Sequence, residues 1–385
     1  MNVGALKKTE ARVDTTYLQR LNIQGFGKDN LYPQTIASIV AASGTASLCL
    51  ARYIKFIEGN GFLDMNYSEI LINRQNETVD DLLHSVAEDL ARFHGFAIHC
   101  NYNVLGEITE LHHVPFEQCR LEEEDGNGYV AHIILHPDWR GKRTRNGRRI
   151  DVNRTNCKYI DVFNPNKDVV FAQIEASGGI ENYMGQILWV SMDGKYRYPT
   201  PIYDGAITDI STDEGLGNVK YRNVRNNFLV SCMLIARKGV PQVDKDGNDI
   251  TPQMISDESL LQFQGDTKSS KILYLELENT DDKPEIVEFP SKNYDKDFNI
   301  TDESVIERIY SQFHQELFYA IRIGKLGFSG QVMTEAYEYY AGEVTNEQRF
   351  IERAFDLLFA HWFEPVATST IQPLRYITTT TQAQQ

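Results

Sequence analysis

The sequence is short of the residues and spacings from which small-molecule chemistry is usually built. Its five cysteines, Cys49, Cys100, Cys119, Cys157 and Cys232, are scattered without CxxC spacing. No zinc knuckle or disulfide framework is indicated, and a reducing, intracellular origin is the expectation. A G-x-x-x-x-G-K-[ST] phosphate loop and a G-x-S-x-G elbow are both missing, which argues against a nucleotide-driven motor or a serine hydrolase. No stretch approaches 18 uninterrupted apolar residues, and MNVGALKKTEARVDTTYL has no apolar signal-like region, so neither secretion nor membrane spanning is expected. Positive charge is also in deficit: 38 Lys and Arg against 54 Asp and Glu leave a formal net charge of -16. Tight nucleic-acid binding needs cations to displace counterions from phosphates, so a DNA-gripping protein is disfavoured. An acidic surface that repels phosphate would still suit a passage through which DNA slides.

What is present is ordinary for a folded chain. With 385 residues, 42% hydrophobic and 24% charged, the chain buries a sizeable core and is expected to hold two or three domains or one elaborated fold. Its 20 Tyr and 19 Phe suit large packed interfaces as well as cores.

Along the chain, Ile36, Ile39, Val40, Leu50, Tyr53, Ile54 and Ile57 predict a helix over 33–58, with a break allowed at the small-residue run AASGTAS. Thr78 opens a second helix carrying Leu82, Leu83, Val86, Leu90 and Phe93, with Gly95 at the expected left-handed end. The pieces FAIHCNY, EITELHHVP, CRLEE and YVAHIIL then read as an antiparallel meander. A basic hairpin, WRGKRTRNGRRIDV, turns at Asn146-Gly147. Residues 210–237 read as a helix with one narrow apolar stripe, followed by strand, short helix and strand, the last being KILYLELEN. A helix over 301–323 presents Ile306, Ile309, Phe313, Leu317 and Ile321 on one face and stops at Gly324, a rod of about 35 Å. KLGFSGQVMTEAYEYYAGEV reads as a glycine-punctuated loop. Thr345 begins the next helix, with Gln348 placed for a capping box and Phe350, Ile351, Ala354, Phe355, Leu358 and Trp362 on its apolar face. The tail from Thr368 is polar and expected to fray.

Candidate chemistry is sparse. His112 and His113 lie near His99, but neighbours on a strand point to opposite faces, so a structural role is favoured over a metal site. Asp244, Asp246 and Asp249 around Gly247 resemble a calcium loop, yet Gln242 and Gln253 occupy its first and last ligand positions, and a plain turn fits better. The run Glu122 to Asp125 reads as a solvated turn. Arg140, Lys142, Arg143, Arg145, Arg148 and Arg149 stand out in an acidic chain. They either contact DNA or an acidic partner, or keep a solvated hairpin from pairing at its edge.

The order of these elements is similar, along nearly the whole chain, to the portal family of tailed bacteriophages. The similarity is carried by YPQTIASIVAASGTASLCLARYIKFIEGNGF, by DLLHSVAEDLARFHGFAIHCNYNVLGEITELHHVPFEQCRL, and by two helices, EGLGNVKYRNVRNNFLVSCMLIARKG and ITDESVIERIYSQFHQELFYAIRIG, enclosing a small insert. The resemblance implies an α+β chain with a wing over 1–204, a first stem helix over 205–238 and a clip over 239–299. A second stem helix over 300–324, a tunnel loop over 325–343, a wing helix over 344–367 and a short crown or disordered tail over 368–385 would follow. It places Lys220, Arg222, Arg225, Glu307, Arg308 and Phe313 in the stem, and Lys325, Phe328, Gln331, Glu335, Tyr337 and Tyr339 in the tunnel loop.

The implied function is structural and not enzymatic, with no cofactor: a homo-oligomeric ring of about twelve copies at one capsid vertex, passing double-stranded DNA. Implied partners are the terminase large subunit, the major capsid protein and scaffold, and a head-to-tail adaptor. The implied location is the virion, after assembly in the host cytoplasm. Two polar helices flanking a small β module are poor at closing one compact core, and pack well when repeated around a ring. The competing readings are an intracellular α+β enzyme with an unrecognised site, and another phage structural subunit of capsid or baseplate.

Overall fold

The computed structural model describes residues 15–143, 149–225, 230–237, 242–243, 249–250, 271–277 and 294–376. The chain is α+β and divides into two compact units, Met1–Ser211 with Ile306–Gln385, and Thr212–Val305.

The first unit opens with a short hairpin, β1 (Thr15–Leu18) and β2 (Ile23–Phe26). The expected helix over 33–58 is two helices, α1 (Tyr32–Ala42) and α2 (Gly44–Glu58), bent by 110°. Ser43 makes the break: it adopts extended backbone and its Oγ accepts from Ala46 N at 3.0 Å, capping α2. The short α3 (Met65–Ser68) leads to α4 (Val79–Phe93). Thr78 caps α4 as its sequence predicts, in a reciprocal capping box with Asp81. The left-handed residue is His94, not Gly95; its φ is 60°, and Gly95 already belongs to the next strand.

The strands that follow do not form the expected meander. They are β3 (Gly95–Tyr102), β4 (Ile108–Val114), β5 (Cys119–Leu121), β6 (His132–Leu135), the two-residue β7 (Lys142–Arg143) and β8 (Arg149–Ile150), and β9 (Lys158–Val162). Helix α5 (Lys167–Ala176) precedes β10 (Gln186–Ser191). The six-stranded sheet has the order β4-β3-β10-β9-β6-β5. Pro115 and a single 3-10 turn, Phe116–Gln118, carry the chain out of the β3–β4 hairpin, and the gap is filled by β9 and β10. These two pair in parallel, which requires a crossover, and α5 supplies it. QILWVS is almost wholly buried along its length, as expected of a strand in mid-sheet covered on both faces.

The last part of the chain is helical: α6 (Ile207–Arg225), α7 (Tyr294–Gln312), α8 (Glu316–Arg322), α9 (Gly330–Glu343) and α10 (Thr345–Phe359). Four corrections to the sequence reading follow. Helix α6 ends at Arg225, and Val230–Arg237 is a strand, β11. The helix expected over 301–323 breaks after Gln312, where His314 has a φ of 56°. The break is held by Gln315, whose Nε2 donates to Cys49 O at 2.8 Å and to Tyr340 Oη at 2.9 Å, while its Oε1 accepts from Arg52 at 2.9 Å. The segment read as a loop over 325–343 contains α9, capped by Ser329 through Val332 N and anchored by buried Ala336 and Tyr340. Thr345 and Gln348 make no capping box, because only Val344 separates α9 from α10. Thr345 Oγ1 donates back to Ala341 O, and Gln348 Nε2 donates to the Phe56 and Ile57 carbonyls at the end of α2.

The described part of the tail, 368–376, is docked where fraying was expected, and 377–385 lie outside the described residues. Leu63 N donates to Thr370 O, Asn60 N to Gln372 O and Gln372 N to Gly61 O, while Ile371 is 5% exposed.

The second unit is small. It contains β11, paired in parallel with β14 (Lys271–Leu277), and the short antiparallel β12 (Gln242–Val243) and β13 (Asp249–Ile250). KILYLEL is thus a strand, as its alternation predicts. The short clip helix and the turn Asp244 to Gly247 lie outside the described residues. Each boundary of this unit falls inside a helix, after Ser211 in α6 and after Val305 in α7.

Candidate stem, loop and cleft

Helices α6 and α7 are joined by salt bridges. In the second unit Lys220 Nζ lies 2.7 Å from Asp302 Oδ2, and in the first Arg308 Nη1 lies 3.5 Å from Asp209 Oδ1. Both pairs reach solvent, so each contributes at most about 1 kcal/mol, and their value is to set the register of two polar helices. Glu307 is exposed beside Arg308. Phe313 is not on a stem face: it is fully buried, stacked on Tyr203 at 5.1 Å and edge-on to Tyr53. The side chains of Arg222 and Arg225 lie outside the described residues.

After α8 the chain makes a Schellman-type exit. Lys325 N donates to Ala320 O and Gly324 N to Ile321 O, with Gly324 left-handed at φ 77°. From there residues 322–331 are all exposed. Three apolar side chains lie in this run: Phe328 is 79% exposed, Leu326 46% and Ile323 44%. Of the six residues assigned to the tunnel loop, Lys325, Phe328, Gln331, Glu335 and Tyr339 are exposed. Tyr337 is not free: its ring packs 5.0 Å from Phe56, 5.8 Å from Phe318 and 5.4 Å from Tyr376.

The basic hairpin has its two short strands in register, Lys142 opposite Ile150 and Arg143 opposite Arg149. Arg140 is exposed just before it. Arg145, Arg148 and the side chains of Lys142, Arg143 and Arg149 lie outside the described residues.

The histidines behave as strand geometry requires. His113 Nε2 lies 2.7 Å from Asp89 Oδ2 on α4, and that carboxylate also accepts from Phe116 N. His112 faces the other way, its ring 6.3 Å from that of His99. His99 and His112 border an open cleft of about 380 Å³ on the sheet, with Lys158 on its rim and Leu135, Ile160 and Met184 among its apolar lining. Burial pulls the His99 pKa down, and its Nε2 is hydrogen-bonded to Met184 O at 2.6 Å. Among the described residues no group of three or more His, Cys, Asp or Glu is arranged to hold a metal ion. The sequence does contain one H-x-x-x-H spacing, His132 to His136, where none was expected, and it falls on β6 and the residue after it. There His132 bridges Glu122 and Asp161, while His136 packs against Trp139.

Beside the cleft, Arg74 grips Glu110 with two hydrogen bonds of 2.7 and 3.0 Å and Asn101 adds a third. Chiefly through Arg74, the carboxyl is held down at about 2, below its ordinary 4.5. A carboxyl depressed in the folded state stabilises the fold above its unfolded pKa and ceases to do so as pH falls through the folded one. Urea midpoints should therefore fall between about pH 4.5 and 2, and the decline should be shallower in Glu110→Gln. Parallel pH profiles for the two proteins would contradict this assignment.

No family model matches the sequence, and no curated protein matches it. Among solved structures, the chain is similar to chains of gene transfer agent particles, each at 10% identity and a TM-score of 0.46. One belongs to the virion of a native particle, with 94% of this chain and 85% of that chain covered. Another belongs to the neck of a native particle computed with C12 symmetry, covering 88% and 82%. A third belongs to the neck of an empty particle computed with C6 symmetry, covering 96% and 88%.

Proposed function

We propose that this chain is the portal subunit of a tailed phage or phage-like particle, assembling into a ring around the path of double-stranded DNA. The observation that carries the reading is the helix pair α6 and α7 enclosing a small β insert and followed by an exposed apolar loop. Two polar helices registered by Lys220–Asp302 and Asp209–Arg308 leave faces that a single subunit does not cover, and a ring of copies covers them. Ile323, Leu326 and Phe328, all exposed in one short run, are what a surface destined for assembly presents. The net charge of -16 supports a passage that lets phosphates slide. In this reading α6 and α7 belong to the stem, the β11–β14 module to the clip, and 325–343 to the tunnel segment, of which α9 is a helical part. Terminase, capsid protein, scaffold and head-to-tail adaptor would meet the ring at the vertex, and the basic hairpin is a candidate contact for DNA or one of these partners.

The test is direct. Purified protein, or protein co-expressed with its capsid partners, is expected to form rings with a central channel in negative-stain images. A monodisperse monomer in both preparations would overturn the proposal.

A further inference from the structure

The loop after α8 and the helix that follows it carry opposite charge and both face solvent. Arg322 and Lys325 are interspersed with the exposed Ile323, Leu326 and Phe328, the two cations bracketing Ile323. Helix α9, GQVMTEAYEYYAGE, has three glutamates and no Lys or Arg. Gln331, Glu335, Glu338, Tyr339 and Gly342 recur at helical spacing and are all exposed, on the side opposite the buried Ala336 and Tyr340. Glu335 and Glu338 are neighbours of like charge on this stripe, which is unfavourable for a helix left alone in water. Among the described residues neither Lys325 nor Glu338 makes an ion pair, while Arg322 donates to Tyr310 Oη at 3.0 Å, which steadies its guanidinium at the base of the loop.

We infer that the basic, apolar loop of one copy packs on the acidic α9 stripe of the next copy. The occupant is a second copy because the two patches, both left exposed and so not covering each other within the subunit, are complementary in charge and present on the same chain, as a heterologous contact that repeats around a ring requires. Phe328 and Leu326 supply the apolar anchor, Tyr339, 50% exposed, an aromatic surface to receive it, and Arg322 and Lys325 the cations for Glu335 and Glu338. DNA is the poorer occupant, since the carboxylates of α9 would repel its phosphates. The inference rests on the ring reading and names the side chains that close the ring.

The test uses full-length protein in sedimentation velocity. Reversing the loop charges, Arg322→Glu with Lys325→Glu, is expected to raise the concentration for half-assembly by roughly tenfold or more. Adding Glu335→Lys and Glu338→Lys to the same chain should restore assembly. Phe328→Ala should weaken assembly and leave the thermal midpoint unchanged, because that ring touches little of its own subunit. Assembly unaffected by the loop reversal would overturn the inference and leave the ring reading standing, as would rings that persist but lose only DNA retention. Failure of the unaltered protein to assemble both alone and when co-expressed with its capsid partners would overturn both.

Discussion

Replacing Arg120 with Met is expected to remove about 2–4 kcal/mol from the stability of the first unit, a large fraction of a marginal protein's total. The residue is fully buried at the centre of β5 without a carboxylate partner. Its Nε donates to Asn30 Oδ1 at 2.5 Å, Nη1 to the carbonyls of Glu117 and Cys119 at 2.9 and 2.7 Å, and Nη2 to Asn30 O at 2.7 Å and Gln34 Oε1 at 3.4 Å. All five donors of the fork are satisfied, and the guanidinium lies over Trp139 and Phe26. Burial pulls its pKa down to about 10, so it stays charged at neutral pH, stabilised by amide and peptide carbonyl dipoles and the two aromatic faces. Met fills the volume and leaves buried acceptors unmatched, each worth about 1–3 kcal/mol. Lys should fail to rescue, since an ammonium has three donors and no fork. Urea unfolding decides it: a loss below about 1 kcal/mol for Met would mean the network is dispensable.

Gly185→Ala is the second large effect. Gly185 has a φ of 73° immediately before β10, and a Cβ there would fall inside the contact shell of the Cys100 carbonyl oxygen. Left-handed backbone alone costs an alanine about 1–2 kcal/mol. The collision is with backbone of the adjacent strand β3, paired residue for residue with β10, so relief demands a shift within the sheet and the total should reach about 3–5 kcal/mol. Gly178→Ala isolates the two terms, because Gly178 has a φ of 83° and only Asn182 Nδ2 near, at 3.6 Å. Equal losses at both sites in thermal melts would refute the collision.

Local signals in the sequence were reliable where one element settles its own conformation. Thr78 and Asp81 cap α4 through bonds within four residues, and the alternation of KILYLEL marks a strand whatever it pairs with. The loop expected of the glycine-punctuated stretch is present over its first residues, where Gly324 and Gly327 have positive φ. Two further glycines misled at α9: Gly330 and Gly342 sit at its ends, and the residues between them are held by Tyr340, which donates to Phe313 O. That His112 and His113 point to opposite faces was legible too, since strand alternation alone separates them.

By itself the sequence determined the α+β class, the positions of most helices and strands, and the acidic balance. These depend on periodicity, capping and composition, all local to a dozen residues. Tertiary structure alone decided the order of the sheet, the break at His314 between α7 and α8, the docking of Thr370 to Gln372, and the contrast between a cationic loop and an anionic helix face on one subunit. Each of these turns on hydrogen bonds or packing between residues tens to hundreds of positions apart, such as Gln315 with Cys49 or Gln348 with Phe56, and no window along the chain contains both partners.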